Sequence, residues 1–210
     1  MDGLLINSEP YWQEAGIEFL EEFDVTLTLE QYQDTTGLRS KEWLEYWFNY
    51  FRIDMAHASR AAEDITARAT EKIKSKAEAM PGLDHIIPFF AERNFKIGLA
   101  TSSAFSLIDV IVDKLGIRDV FSAFSSAEGL TLGKPHPEVF MHCAELLGSS
   151  PLDCVCFEDS FNGMIAAKAA RMKCVVVPES NHYEHPKWGA ADLKISSLAQ
   201  FTEKQLAALR

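Results

Sequence analysis

The stretch CVCFEDSFNG, residues 154–163, decides the fold. Cys154 to Phe157 form an apolar run with no polar face, which suits a strand in a parallel sheet covered on both sides. The run ends in two adjacent carboxylates, Glu158 and Asp159, and Asn162-Gly163 then opens a helix. In open α/β sheets, ligands bind beyond the carboxyl ends of the strands, so an acidic pair here invites a chemical reading. Two neighbouring acids repel each other unless a cation lies near, and hard oxygen donors suit Mg²⁺. A helix-capping Asp beside a surface Glu is the plain structural alternative, but it accounts poorly for acids at the end of so apolar a strand.

Outward from this stretch, strands and helices alternate. FKIGLA (95–100), FSAFSS (121–126) and CVVVP (174–178) read as strands, with helices near Ser106 to Leu115, Glu138 to Leu147 and Gly163 to Arg171. A short strand at Asp192 to Ile195 and a helix after Ser197 close the pattern. The alternation predicts an α/β fold with one parallel sheet. Before Pro81-Gly82 the texture differs. Tyr11 to Phe23 and Ser40 to Phe51 have apolar residues at helical spacing, the second with an aromatic face that reads as packing surface. Arg60 to Met80 reads as a long, mostly exposed helix. The chain thus divides into an α/β part, residues 1–9 and 81–210, and a helical block, residues 10–80, inserted after the opening MDGLLINSEP.

The 210 residues carry 47% hydrophobic and 24% charged side chains, as in a globular protein, and a formal net charge of −11. That charge argues against nucleic acid and anionic membrane as partners, so any phosphate site is local. Cys143, Cys154, Cys156 and Cys174 show no metal-type spacing, and they read as small buried hydrophobes in a reducing cytoplasm. No apolar run is long enough to span a bilayer. His182, Tyr183, Glu184 and His185 form a polar cluster that reads as a surface loop.

Two further strand ends carry polar chemistry. FKIGLA runs into Thr101-Ser102-Ser103, whose hydroxyls and helix-start amides could hold a phosphate, although an ordinary N-cap gives the same residues. Thr131 to Pro137 places Lys134 between a glycine and a proline, aimed as a point charge; His136 beside it reads as structural. A hydroxyl pair, a lysine and an acidic pair, each after its own strand, are what phosphoryl transfer needs.

With these residues in place, the sequence resembles the haloacid dehalogenase superfamily, and within it the β-phosphoglucomutase-like and 2-deoxyglucose-6-phosphatase-like members with a helical cap. MDGLLINSEP, LATSS, GKPHPEVF and FEDSFNG match four motifs in order, and DTTGLR matches the cap loop. The resemblance implies a Rossmann-like parallel sheet, a Mg²⁺ cofactor, a small phosphorylated sugar as partner, and hydrolysis of a hexose or hexitol phosphate through an aspartyl phosphate. It implies that Asp2 is the acid/base, with its backbone carbonyl a metal ligand. Thr101, with Ser102, would hold the phosphoryl group, Lys134 would neutralise it, and Glu158 and Asp159 would bind the metal. Gly37 and Arg39 would form the substrate-specificity loop, Arg39 touching the sugar end. The family's nucleophilic Asp would lie two residues before Asp2, with the central strand that delivers it, so both are expected upstream of Met1. Asn7 stands where the motif usually has Asp. The competing expectations are a phosphosugar mutase, against which Trp12 replaces the histidine of mutase-like members, and a catalytically dead truncated form. A dehalogenase needs no metal and fits the acidic pair less well.

Overall fold

The computed structural model describes residues 1–209. Helix α1 (Glu9–Glu21) opens with Pro10 in its first turn, where a missing N–H goes unnoticed, and buries Ala15, Gly16, Phe19 and Leu20. Helix α2 (Leu29–Asp34) starts on a capping box in which Thr28 Oγ1 accepts from Gln31 N and the Gln31 side chain accepts from Thr28 N. Helix α3 (Ser40–Phe51) buries Trp43, Leu44, Trp47 and Phe48 and ends at Arg52 with φ 59°. Helix α4 (Ala58–Lys76) turns Ala61, Ile65, Ala69 and Ile73 inward, and both α1 and α3 pack on it. The helix expected over Arg60 to Met80 therefore stops short and carries a wholly buried stripe. Beyond it, Ile6 and Ala79 form an antiparallel bridge, Asn7 N donates to Glu78 O (2.8 Å), and Met80 N donates to Leu5 O (3.0 Å). The chain leaving for the helices and the chain returning from them are stapled side by side.

The α/β part runs α5 (Leu83–Ala91), β1 (Gly98–Thr101), α6 (Phe105–Leu115), β2 (Ala123–Ser126), α7 (Glu138–Leu146), β3 (Val155–Glu158), α8 (Phe161–Ala169), β4 (Lys173–Val176), β5 (Leu193–Lys194) and α9 (Glu203–Ala208). Every strand pairing is parallel. The absence of a polar face has a direct cause on β4. Cys174 and Val176 pack with Met164 and Ala167 of α8, while Val175 packs with Phe89 of α5 and Phe201. Both faces are covered, so neither is polar.

The parallel strands form two sheets, β1-β2 and β3-β4-β5. Between them lies an apolar cavity of about 470 Å³, lined by Leu99 and Ala100 of β1, Val155 and Phe157 of β3, Phe90 of α5 and Phe140 of α7, with Met1 at its border. Along it, one edge of β1 and one edge of β3 lack a strand partner among the described residues. That apolar slot separates the two sheets.

Candidate active site

The strand ends converge on Asp2. Its Oδ1 accepts from Ser8 Oγ (2.7 Å) and Trp12 Nε1 (3.1 Å), and its Oδ2 accepts from Ser103 Oγ (2.9 Å) and, at 3.5 Å, Thr101 Oγ1. The donors come from the N-terminal loop, α1 and the β1 loop, so the carboxylate is fixed from three sides. Thr101 Oγ1 also accepts from Ser103 N (3.2 Å), a turn inside the loop, while α6 starts on Ala104 without a side-chain cap.

Lys134 and Glu158 form a buried ion pair, with side chains 6% and 4% exposed. Ser160 Oγ donates to Glu158 Oε2 (3.0 Å), and the Lys134 ammonium lies 4.9 Å from the centre of the Phe140 ring. Burial pulls the lysine pKa down, but Glu158 outweighs it and the net direction is up. Gly163 is required beside this pair: a Cβ there would sit 2.0 Å from Glu158 Oε2.

Asp159 behaves differently. Burial, then the charge of Glu158, pushes its carboxyl up to about 7. It lies against the backbone of Gly3, where a Cβ would come within 2.1 Å of Oδ2 and where φ is +64°. Among the described residues it takes no hydrogen bond. Glu9, at the first turn of α1, is likewise pushed well up, first by burial and then by Asp159, Asp2 and Glu179. An unpartnered carboxylate in a field of acids suits a hard cation in kind. Among the described residues no three His, Cys, Asp or Glu side chains gather into a metal site, while the expected set takes Asp2 through its backbone carbonyl beside Glu158 and Asp159. Glu158 is occupied by Lys134 and Ser160, and the Asp2 side chain by its four donors; the Asp159 carboxylate and the Asp2 backbone carbonyl remain available.

A cavity of about 80 Å³ joins these groups to the helical block. Asp2, Thr101, Ser102, Lys134, Asp159 and Ser160 form its floor, and Glu9, Trp12, Tyr32, Thr35, Gly37 and Trp43 are among the residues that cover it. Gly37 (φ 87°) presses on Ser160, where a Cβ would meet Oγ at 2.5 Å, and its carbonyl accepts from Ser102 Oγ (2.7 Å). Asn162 Nδ2 donates to Thr36 O (3.0 Å). Arg39 does not line the cavity. Its guanidinium donates to the carbonyls of Ala127 (3.1 Å), Leu130 (2.9 Å) and Thr131 (3.3 Å) and to Glu42 (2.6 Å), while Glu42 accepts from Gly133 N (3.1 Å). In this arrangement Arg39 clamps the loop that carries Lys134. Ser8 and Glu9 were not foreseen as site residues, their signal being only their place in the opening motif, and Ser103, expected with its neighbours as a phosphate-holding hydroxyl, donates to Asp2.

Elsewhere, His136 is a local helix-start acceptor for Glu138 N (3.3 Å), and His185 Nδ1 accepts from Lys187 N (3.1 Å). The four cysteines are free, and burial pushes Cys143 up to about 12. No described helix is long and apolar enough to cross a membrane.

A family model described as haloacid dehalogenase-like hydrolase matches residues 1–177. Hexitol phosphatase B of Escherichia coli (strain K12) is 37% identical over 207 residues, covering 98% of this chain and 93% of that protein. β-Phosphoglucomutase of Bacillus subtilis (strain 168) is 26% identical, covering 96% of this chain and 89% of that one. Among solved structures, β-phosphoglucomutase (pgmB) from Clostridium difficile superposes with a TM-score of 0.84 at 23% identity, over 98% of this chain and 92% of that one. With the strand-end acids, lysine and hydroxyls already assembled, the chain belongs to the haloacid dehalogenase-like hydrolase family.

Proposed function

We propose that the protein is a phosphatase that hydrolyses a small sugar phosphate, of the hexose or hexitol class, through an aspartyl phosphate, with the nucleophilic Asp carried by residues preceding Met1. The observation that carries this reading is the fixed Asp2 carboxylate beside Thr101, Lys134 and Asp159. The similarity to hexitol phosphatase B supports the substrate class. The slot between β1 and β3 supports a strand entering from upstream, since it is apolar, bounded by two unpaired edges and closed at one border by Met1.

In this reading, Thr101 and the amides after it orient the phosphoryl oxygens, and Lys134 neutralises their charge. The upstream carboxylate attacks phosphorus, the ester P–O bond breaks, and the departing alkoxide takes the proton of the Asp2 carboxyl. Asp2, now ionised, takes a proton from the water that attacks the aspartyl phosphate, and inorganic phosphate leaves. When bound, Mg²⁺ supplies further charge neutralisation, held by the Asp159 carboxylate and the Asp2 backbone carbonyl. Helices α1 to α4 act as the cap over this chemistry. Four free thiols fit a reducing compartment such as the cytoplasm.

The mutase reading meets an obstacle in Trp12. Its indole N–H holds Asp2 but cannot gain or lose a proton near neutral pH, so it offers no relay for a returning phosphoryl group. The test is phosphate release from hexitol and hexose 6-phosphates, with and without Mg²⁺, by the chain extended upstream through its coding sequence and by residues 1–210 alone. Free phosphate from the extended chain only is the expected result. Isomerised sugar phosphate without free phosphate, or full turnover by residues 1–210, would overturn the proposal.

A further inference from the structure

The covering wall of the cavity contains two polar groups that the fold leaves unused. The chain has four tryptophans, and three of their indoles donate within the protein: Trp12 to Asp2 (3.1 Å), Trp47 to Thr35 Oγ1 (3.1 Å) and Trp188 to His182 O (2.8 Å). Trp43 Nε1 is buried and has no partner. Tyr32, its neighbour at 5.7 Å between ring centroids, is 6% exposed, and its hydroxyl takes no hydrogen bond among the described residues. Both rings lie against Gly16, where a Cβ would stand 3.0 Å from Trp43 Cη2 and 3.4 Å from Tyr32 Cε2. Two other hydroxyls of the wall are satisfied: Thr35 donates to Tyr32 O (2.8 Å), and Ser40 pairs with Thr66 (3.3 Å). A buried N–H without an acceptor is a standing cost that a ligand oxygen removes.

We infer that Tyr32 and Trp43 are specificity residues that read the hydroxyls of a neutral, polyhydroxylated leaving group, an inference that rests on the phosphatase reading above. The charge around them points to the same chemistry. Glu9, Asp2 and Asp159 border the cavity, and Arg39, the cation of the nearby cap loop, is turned onto core carbonyls. A leaving group with its own carboxylate or second phosphate meets acids there and no cation from the cap. A hydroxyl accepts from Trp43 Nε1 and either donates to or accepts from Tyr32, which a vicinal diol does at both ends. Sites built to hydrogen-bond a substrate hydroxyl discriminate strongly against analogues that lack it.

The test compares a hexitol 6-phosphate with n-hexyl phosphate, which lacks every hydroxyl. In the upstream-extended enzyme, Trp43→Phe and Tyr32→Phe are expected to lower kcat/KM for the hexitol ester by about 10- to 100-fold and to leave the hexyl ester within about threefold, while Trp47→Phe changes the two alike. Equal losses on both esters, or no loss on either, would overturn the assignment. A second readout separates it from the hydrolysis reading. In protein labelled with ¹⁵N-tryptophan, the Trp43 indole N–H resonance is expected to move on adding the hexitol phosphate and to stay in place with inorganic phosphate. That shift in a protein that releases no phosphate would sink hydrolysis and uphold the specificity pair; an unmoved resonance would sink the pair.

Discussion

Replacing Lys134 by Met isolates the energetics of the buried ion pair. Lys134 is 5% exposed and Glu158 3%, and in the variant the carboxylate would keep only the Ser160 hydroxyl and amide as partners. Removing one member of such a pair typically costs about 3–5 kcal/mol, because the other charge stays buried without compensation. Against a total of about 5–15 kcal/mol for an ordinary domain, that is a large share. Glu158→Gln alone should cost a similar amount, since the ammonium is then left against the Phe140 ring. The double variant leaves no charge behind and should lie within about 1.5 kcal/mol of wild type, so the two losses are far from additive. The measurement is urea unfolding at pH 7.5, followed by tryptophan fluorescence. The pair holds the lysine pKa above its ordinary value, so its contribution is complete below that value and is lost only in strong alkali. Single variants within about 1 kcal/mol of wild type, or losses that simply add in the double variant, would refute the reasoning.

Three further outcomes follow from the same geometry. Asp159, pushed up to about 7, holds a proton in the folded state that the unfolded chain releases near pH 4, so stability should fall between those values and stay low above 7; Asp159→Asn should flatten that curve and add about 2–4 kcal/mol at pH 8, checked by urea unfolding at pH 5 and pH 8 without Mg²⁺. Gly82→Ala places a Cβ 2.1 Å from Ala199 N at φ +89°, against backbone that cannot step aside, and should cost more than about 3 kcal/mol in the same assay. Arg39→Ala removes three donations to core carbonyls and should lower stability by about 1–2 kcal/mol while raising KM for the phosphate ester, and Arg39→Lys should restore little, since an ammonium lacks the planar fork that spans those oxygens.

Much of this architecture is written in short-range patterns. The strands at β1, β2, β3 and β4 all lie within or beside the apolar runs that announced them, and α3 falls on Ser40–Phe51 as its aromatic spacing implied. What escaped has physical reasons. Helix α2 has six residues, under two turns, too few to display a period, and α5 carries Pro88 in its interior. The aromatic stripe on α3 is mainly packing surface, as read, yet Trp43 on that stripe also lines the cavity. The site residues legible in the sequence were those at strand ends. Their partners were not, since Ser103 reaches Asp2 across 101 positions and Arg39 reaches Leu130 across 91, and no local pattern encodes such a meeting.

The staple between residues 5–7 and 78–80 has a mechanical consequence. The chain links the helical block to the α/β part through two adjacent segments tied to each other, so once the packing of α4 on α6 and the Arg39 contacts are released, its rigid-body freedom reduces to rotation about one narrow axis. Helix α4, 19 residues long, is then a lever of roughly 28 Å, and a swing of about 15° carries its far end by about 7 Å. The same swing has to part Gly37 from Ser102, Thr36 from Asn162 and Arg39 from the Lys134 loop together, so opening the cavity also loosens the segment that aims the lysine.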